Sequence, residues 1–208
     1  MQQQIVHVFV FDTLSDWEPS YAVAGIHNPA FQLQPGRYAV RTVGPSTRPV
    51  TTMGGITIQP DMSLDALEPG DSAMLILPGG MTWDQGQHGQ AAEKAAEFLE
   101  AGVPVAAICG ATFALAKAGL LDTRRHTSNT RGYLAATGYR GASLYQDEPA
   151  VTDELVITAG GLAPLDFACH IFRQLGVFSE STLDAWYRLF KTGDPSHYLK
   201  LMESSGGS

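Results

Sequence analysis

Val105-Ala106-Ala107-Ile108-Cys109-Gly110-Ala111 decides the fold. Aliphatic and small residues up to Ile108 read as a buried strand, and Gly110 to Ala118 reads as the helix that follows it. A chain that turns from strand to helix within about one residue crowds the positions two before and two after the turning residue, so both must be small. Here they are Ala107 and Ala111, and Cys109 occupies the turn. Such an elbow aims the sulfur out of the C-terminal edge of the sheet, where open α/β folds place their sites. It also sets the sulfur beside the first N–H groups of the helix, whose partial positive charge lowers a thiol pKa. The alternative is an inert cysteine that ends a strand, since free cysteines are usually buried.

The strand extends back to Val103, and the segment before it, Ala91 to Ala101, reads as a helix with Ala92, Ala95, Ala96 and Leu99 on one stripe. Ser72 to Leu77 is an apolar run ended by Pro78-Gly79-Gly80. Thr51 to Gln59 turns at Met53-Gly54-Gly55 as a small hairpin, and Arg37 to Val43 is a further strand. Ile5 to Phe11 suits a buried central strand, and Asp16 caps the helix behind it, with Glu18 and Pro19 in its first turn. Beyond the elbow, Tyr133 to Thr137 forms a short helix, and Leu155 to Thr158 is a strand closed by Ala159-Gly160-Gly161. The helix from Pro164 lines up Leu165, Ala168, Cys169, Phe172 and Leu175, which gives Cys169 a packing role. Leu183, Trp186, Tyr187 and Phe190 repeat the pattern in the last long helix. Strands alternating with helices imply right-handed crossovers and an α/β fold with a mainly parallel sheet and helices on both faces. Residues 1–203 read as one domain, and 204–208 as a mobile low-complexity tail.

With 208 residues, 44% hydrophobic and 16% charged, the chain is an ordinary globular domain rather than a disordered or fibrous one. A net charge of −8 argues against nucleic acid and against an anionic membrane surface as partners. No apolar run approaches the ~18 residues of a membrane span, and the opening Met1-Gln2-Gln3-Gln4 lacks the basic segment of a signal peptide. Two cysteines far apart in sequence fit a reducing compartment, so a cytoplasmic location is expected. No metal is expected, because the spacing of ligating residues is missing. No cofactor is expected either, since the dinucleotide fingerprint and the Walker A loop are both absent.

Ala106-Ala107-Ile108-Cys109-Gly110, preceded by Leu77-Pro78-Gly79-Gly80 and by Glu18 behind the first strand, resembles the ThiJ/PfpI superfamily. That group includes the parkinsonism-associated protein family and belongs to the class I glutamine amidotransferase-like folds. The resemblance runs from Gln4 to about Phe190. It implies a flavodoxin-like three-layer sandwich, a nucleophile-elbow cysteine, and a homodimer, the state of many relatives. It further implies a glutamate that hydrogen-bonds the cysteine, and the matching residue is Glu18. A protonated carboxyl there donates to a thiolate and stabilises it. The plainer alternative is a first-turn acid that complements the helix dipole.

Gly79 and Gly80 leave their N–H groups free to approach an oxyanion beside Cys109, unless they form a simple turn. Gly160 and Gly161 end the neighbouring strand and line the same pocket. The chain departs from the superfamily at two places. The peptidase branch carries histidine directly after the cysteine, where Gly110 stands here. Other branches carry one about twenty residues on, where Asn129 stands. His126, three residues earlier, has two readings: a catalytic base that swings in, or part of a solvated loop with Arg124 and Arg125.

The functional expectation is a small-molecule hydrolase, amidase-like or aldehyde-processing (glyoxalase-like), with Cys109 as nucleophile and Glu18 in support. An efficient peptidase is not expected. The alternatives are a redox-responsive stress protein whose Cys109 is oxidised, and a non-catalytic binding protein for a small molecule.

Overall fold

The apolar run near the start of the chain becomes β1 (Gln4–Phe9) of the computed structural model, which describes residues 3–205. There follow α1 (Trp17–His27), β2 (Tyr38–Gly44), the short hairpin β3 (Val50–Thr51) and β4 (Thr57–Ile58), and β5 (Met62–Ser63). Next come β6 (Met74–Leu77), α2 (Gly89–Glu100), β7 (Val105–Ile108), α3 (Gly110–Lys117) and α4 (Arg131–Ala135). The chain ends with β8 (Ala150–Asp153), β9 (Val156–Ala159), α5 (Pro164–Leu175), α6 (Glu180–Thr192) and α7 (Ser196–Ser205).

Seven strands form one sheet in the order β5-β2-β1-β6-β7-β9-β8, parallel except for the antiparallel pair β8–β9 at the edge. Side chains alternate across it. Met74, Ile76, Ala106 and Ile108 face α1, α5 and α6, whereas Leu75, Leu77, Val105 and Ala107 face α2 and α3. The result is a flavodoxin-like three-layer sandwich. The order reverses between β1 and β6, and the segments that follow the strand ends near that reversal carry the site described below. No helix among the described residues is long and apolar enough to cross a membrane.

The structure differs from the sequence reading at several elements, among them the edge strand β5, which the sequence reading did not contain. Asp16 sits at the start of α1 but caps nothing, because its carboxylate accepts the Gly54 N–H at 2.7 Å and ties the β3–β4 hairpin to the site. The buried face of α2 is Ala91, Ala92, Ala95 and Phe98, turned slightly from the expected alanine stripe because Phe98 takes the core position. Strand β8 was not anticipated: Ala150-Val151-Thr152-Asp153 is short and half polar, and pairing with β9 makes it a strand. Helix α7 was not anticipated either. Its Leu201 is buried, so Ser204 and Ser205 close a helix instead of belonging to a tail, and 206–208 lie outside the described residues.

Candidate active site

The elbow forms as its small residues require. Ala107 and Ala111 are fully buried, and Cys109 turns the chain with φ 58° and ψ −123°, a conformation that L residues rarely adopt. Its N–H donates to Ala159 O at 3.0 Å, and its carbonyl accepts both the N–H (3.1 Å) and the hydroxyl (2.6 Å) of Thr112. The half-buried sulfur is thereby fixed between the ends of β6 and β9. Two glycines flank it. A Cβ on Gly79 would stand 2.5 Å from both Cys109 Cβ and Glu18 Oε2, and one on Gly161 would stand 2.9 Å from the sulfur. Only a hydrogen fits in either place.

Glu18 is buried in the first turn of α1, where its Oε2 accepts the Gly79 N–H at 2.6 Å and its carboxyl shares a hydrogen bond with the Cys109 thiol. Burial pushes its pKa from 4.5 up to about 6, against the hydrogen bonds from Gly79, Cys109 and Ser15. Burial also pushes the thiol up to about 11, and the Glu18 charge adds to the rise, while the Asn129 and Gly110 N–H groups oppose it. The expected lowering of the thiol pKa by the helix N-terminus is therefore overridden. Burial raises both groups, and the carboxyl and the thiol are coupled through one hydrogen bond.

Asn129 reaches the sulfur with Nδ2 at 3.4 Å and holds the Gly161 N–H on Oδ1 at 2.8 Å. Gly160 packs against the Ser128 carbonyl in the same turn, and Gly80 lies at the end of β6 beside Gly110. The Gly79 N–H is not free for an oxyanion, since Glu18 takes it. His126 does not join the site. It is fully buried, its Nδ1–H donates to Arg124 O at 2.7 Å, and its Nε2 accepts the Tyr139 hydroxyl at 2.9 Å. Neither a base for Cys109 nor a member of a solvated loop, it packs edge-on between Tyr139 and Tyr145.

Three neighbours of the site escaped the sequence reading. Trp17, half exposed, donates Nε1–H to Gly161 O at 3.3 Å. Ser15 bonds Glu18. Tyr133 stands near enough for Asp84, Cys109 and Glu18 to help burial raise its pKa to about 12. The one available signal was the position of Trp17 and Ser15 beside Glu18. Beside Asn129 and Gly161 opens a cleft of about 450 Å³ walled by Pro149, Leu162 and Ala163, where Lys191 is paired with Asp166 at 3.0 Å. A larger cavity of about 660 Å³ lies at the opposite edge of the sheet, around Gln4, Tyr38 and Ser72, away from Cys109. Among the described residues no group of His, Cys, Asp and Glu could hold a metal ion.

Comparison with known proteins agrees with this geometry. The DJ-1/PfpI family matches residues 4–174. A protein named as the uncharacterized protease YoaZ of Bacillus subtilis is 41% identical over 98% of this chain and 99% of its own length. The crystal structure of a ThiJ/PfpI family protein from Bacillus anthracis superposes with a TM-score of 0.91 at 42% identity, covering 99% of this chain and 98% of that one. A DJ-1 superfamily protein from Agrobacterium tumefaciens, Atu0886, gives 0.82 at 33% identity, over 92% and 99% of the two chains. The match takes in the strand ends that carry Glu18, Gly79, Cys109 and Gly161 alike, and this chain belongs to the DJ-1/PfpI family.

Proposed function

We propose that the protein is a cysteine-dependent enzyme acting on small, uncharged carbonyl compounds, aldehyde-processing or amidase-like in its chemistry. The observation that carries this reading is the buried carboxyl of Glu18 hydrogen-bonded to the thiol of Cys109 at the elbow. With its pKa raised to about 6, Glu18 is ionised at neutral pH and suited to act as a base near the working pH. As the sulfur attacks a carbonyl carbon, the thiol proton passes to Glu18, the C–S bond forms, and the π pair of C=O moves onto oxygen. The same proton then goes from Glu18 to that oxygen. The Gly110 N–H at the start of α3 is the backbone donor beside the developing charge.

The Glu18 carboxylate disfavours further negative charge at the sulfur, which supports an uncharged substrate over a carboxylate or phosphate. Peptide cleavage is disfavoured as well. Expulsion of an amine needs a second proton donor, and the two superfamily positions for a histidine hold Gly110 and Asn129. Missing acid–base assistance costs about 10²–10⁴-fold in rate.

The test is to incubate the wild type and Cys109→Ser with a panel of small aldehydes and activated amides, beside casein and fluorogenic peptides. Turnover of members of the small-molecule panel that vanishes in the serine variant, with no multiple turnover of peptides, is the expected result. Equal turnover by the serine variant, or efficient Cys109-dependent proteolysis, would contradict it.

A further inference from the structure

Among the described residues, one side chain places an N–H on the sulfur of Cys109, and it is the carboxamide of Asn129. Its orientation is not arbitrary. Oδ1 accepts the Gly161 N–H at 2.8 Å, so a flipped amide would set donor against donor at Gly161 and leave the sulfur facing an oxygen. The segment that carries it is fixed on both sides. The Thr127 N–H donates to Thr158 Oγ1 at 2.9 Å, the Thr127 hydroxyl to Glu148 O at 2.7 Å, and the Ser128 hydroxyl bonds Thr112 Oγ1 at 2.6 Å. Thr112 in turn holds the Cys109 carbonyl, so the amide and the elbow move as one unit.

We propose that Asn129 is a catalytic residue, the hydrogen-bond donor that steadies the sulfur as negative charge builds on it and then serves the oxygen of the carbonyl adduct. The role rests on Cys109 being the nucleophile. In the addition step the S–C bond forms, the π pair goes to oxygen, and the proton travels from sulfur through Glu18 to that oxygen. Asn129 gives up no proton. Its N–H transfers its hydrogen bond from the sulfur, whose charge is spent in the new bond, to the neighbouring oxygen, whose charge has just appeared. The competing groups make the need plain. The Gly79 N–H is committed to Glu18, and burial and the Glu18 charge both disfavour a thiolate. Without Asn129, the Gly110 N–H alone would favour it.

Asn129→Asp is the discriminating variant. It is isosteric, it keeps an oxygen for the Gly161 N–H, and it replaces the donor facing the sulfur by a second carboxylate oxygen. Asn129→Ala removes both contacts. Two rates are read at Cys109 by peptide mass spectrometry of the intact protein at neutral pH: alkylation by iodoacetamide, and its suppression by benzaldehyde, an uncharged aldehyde that masks the thiol as a reversible adduct. Asn129→Asp is expected to slow alkylation about tenfold and to weaken benzaldehyde protection by a similar factor, with an unchanged thermal transition. Wild-type behaviour in the aspartate variant would overturn the proposal. A defect confined to the alanine variant would overturn it too, since Asn129 would then only hold the Gly161 turn. If benzaldehyde fails to protect wild-type Cys109, the nucleophile reading itself falls, and the role of Asn129 with it.

Discussion

At Cys109 the chain accepts an unfavourable backbone to present a sulfur. With φ 58° and ψ −123° it sits where glycine is at ease and a Cβ is not, at a cost of about 1–3 kcal/mol. A comparison of two variants isolates that cost. Both Cys109→Ala and Cys109→Gly remove the thiol, but only glycine removes the Cβ. The glycine variant is expected to melt above the alanine variant by about 2–4 °C, which corresponds to about 1 kcal/mol for a domain of this size. The sign runs against the usual entropic penalty of glycine. An alanine variant that melts as high or higher by calorimetry would mean that the elbow is unstrained.

The turn from β9 into α5 is where one element limits another. Gly161 lies on the sulfur, and its peptide is held from both sides, its N–H by Asn129 and its carbonyl by Trp17. Gly161→Ala places a methyl group 2.9 Å from Sγ and 3.2 Å from Glu18 Oε1, so either the turn or the Glu18–Cys109 pair must move. The expected outcome is an unchanged far-ultraviolet circular dichroism spectrum and alkylation at Cys109 slowed by about a hundredfold. A variant that reacts like the wild type would show the turn to be free to retreat. Elements whose cause is local were legible before the structure: the elbow in Ala107 and Ala111, the glycine ends of β6 and β9, the apolar face of α5. Strand β8 and helix α7 were not, because pairing and packing with distant residues make them. In the site, Glu18, Asn129 and Gly161 were legible by position. His126 was misplaced because spacing measures distance along the chain and not direction. It lies an odd number of residues from Asn129 beside the single bridge to Tyr145, and in extended chain such residues point opposite ways. Gly79 looked free for an oxyanion because nothing in the sequence says that Glu18 covers its N–H.

Taken whole, the molecule gathers its chemistry by topology. Glu18 follows β1, Gly79 follows β6, Cys109 follows β7 and Gly161 follows β9, four neighbouring strands whose C-terminal ends meet at one edge of the sheet. A cavity larger than the cleft beside Cys109 lies at the other edge, where the same strands begin. Strand polarity rather than cavity size picks out the edge at which the proposed chemistry sits. The central claim is that Glu18 and Cys109 share one proton, with Glu18 as the base. The pH dependence of Cys109 alkylation in wild type and Glu18→Gln tests it most directly. Glu18 is raised to about 6 and the thiol to about 11, so wild-type reactivity should rise as pH climbs through the lower value, hold level, and rise again toward the higher. Glutamine has no proton to exchange and no charge to oppose the thiolate. Its profile should lose the lower step, and the upper one should shift to lower pH. A wild-type profile with a single step, or a glutamine variant that keeps the step near 6, would contradict the account.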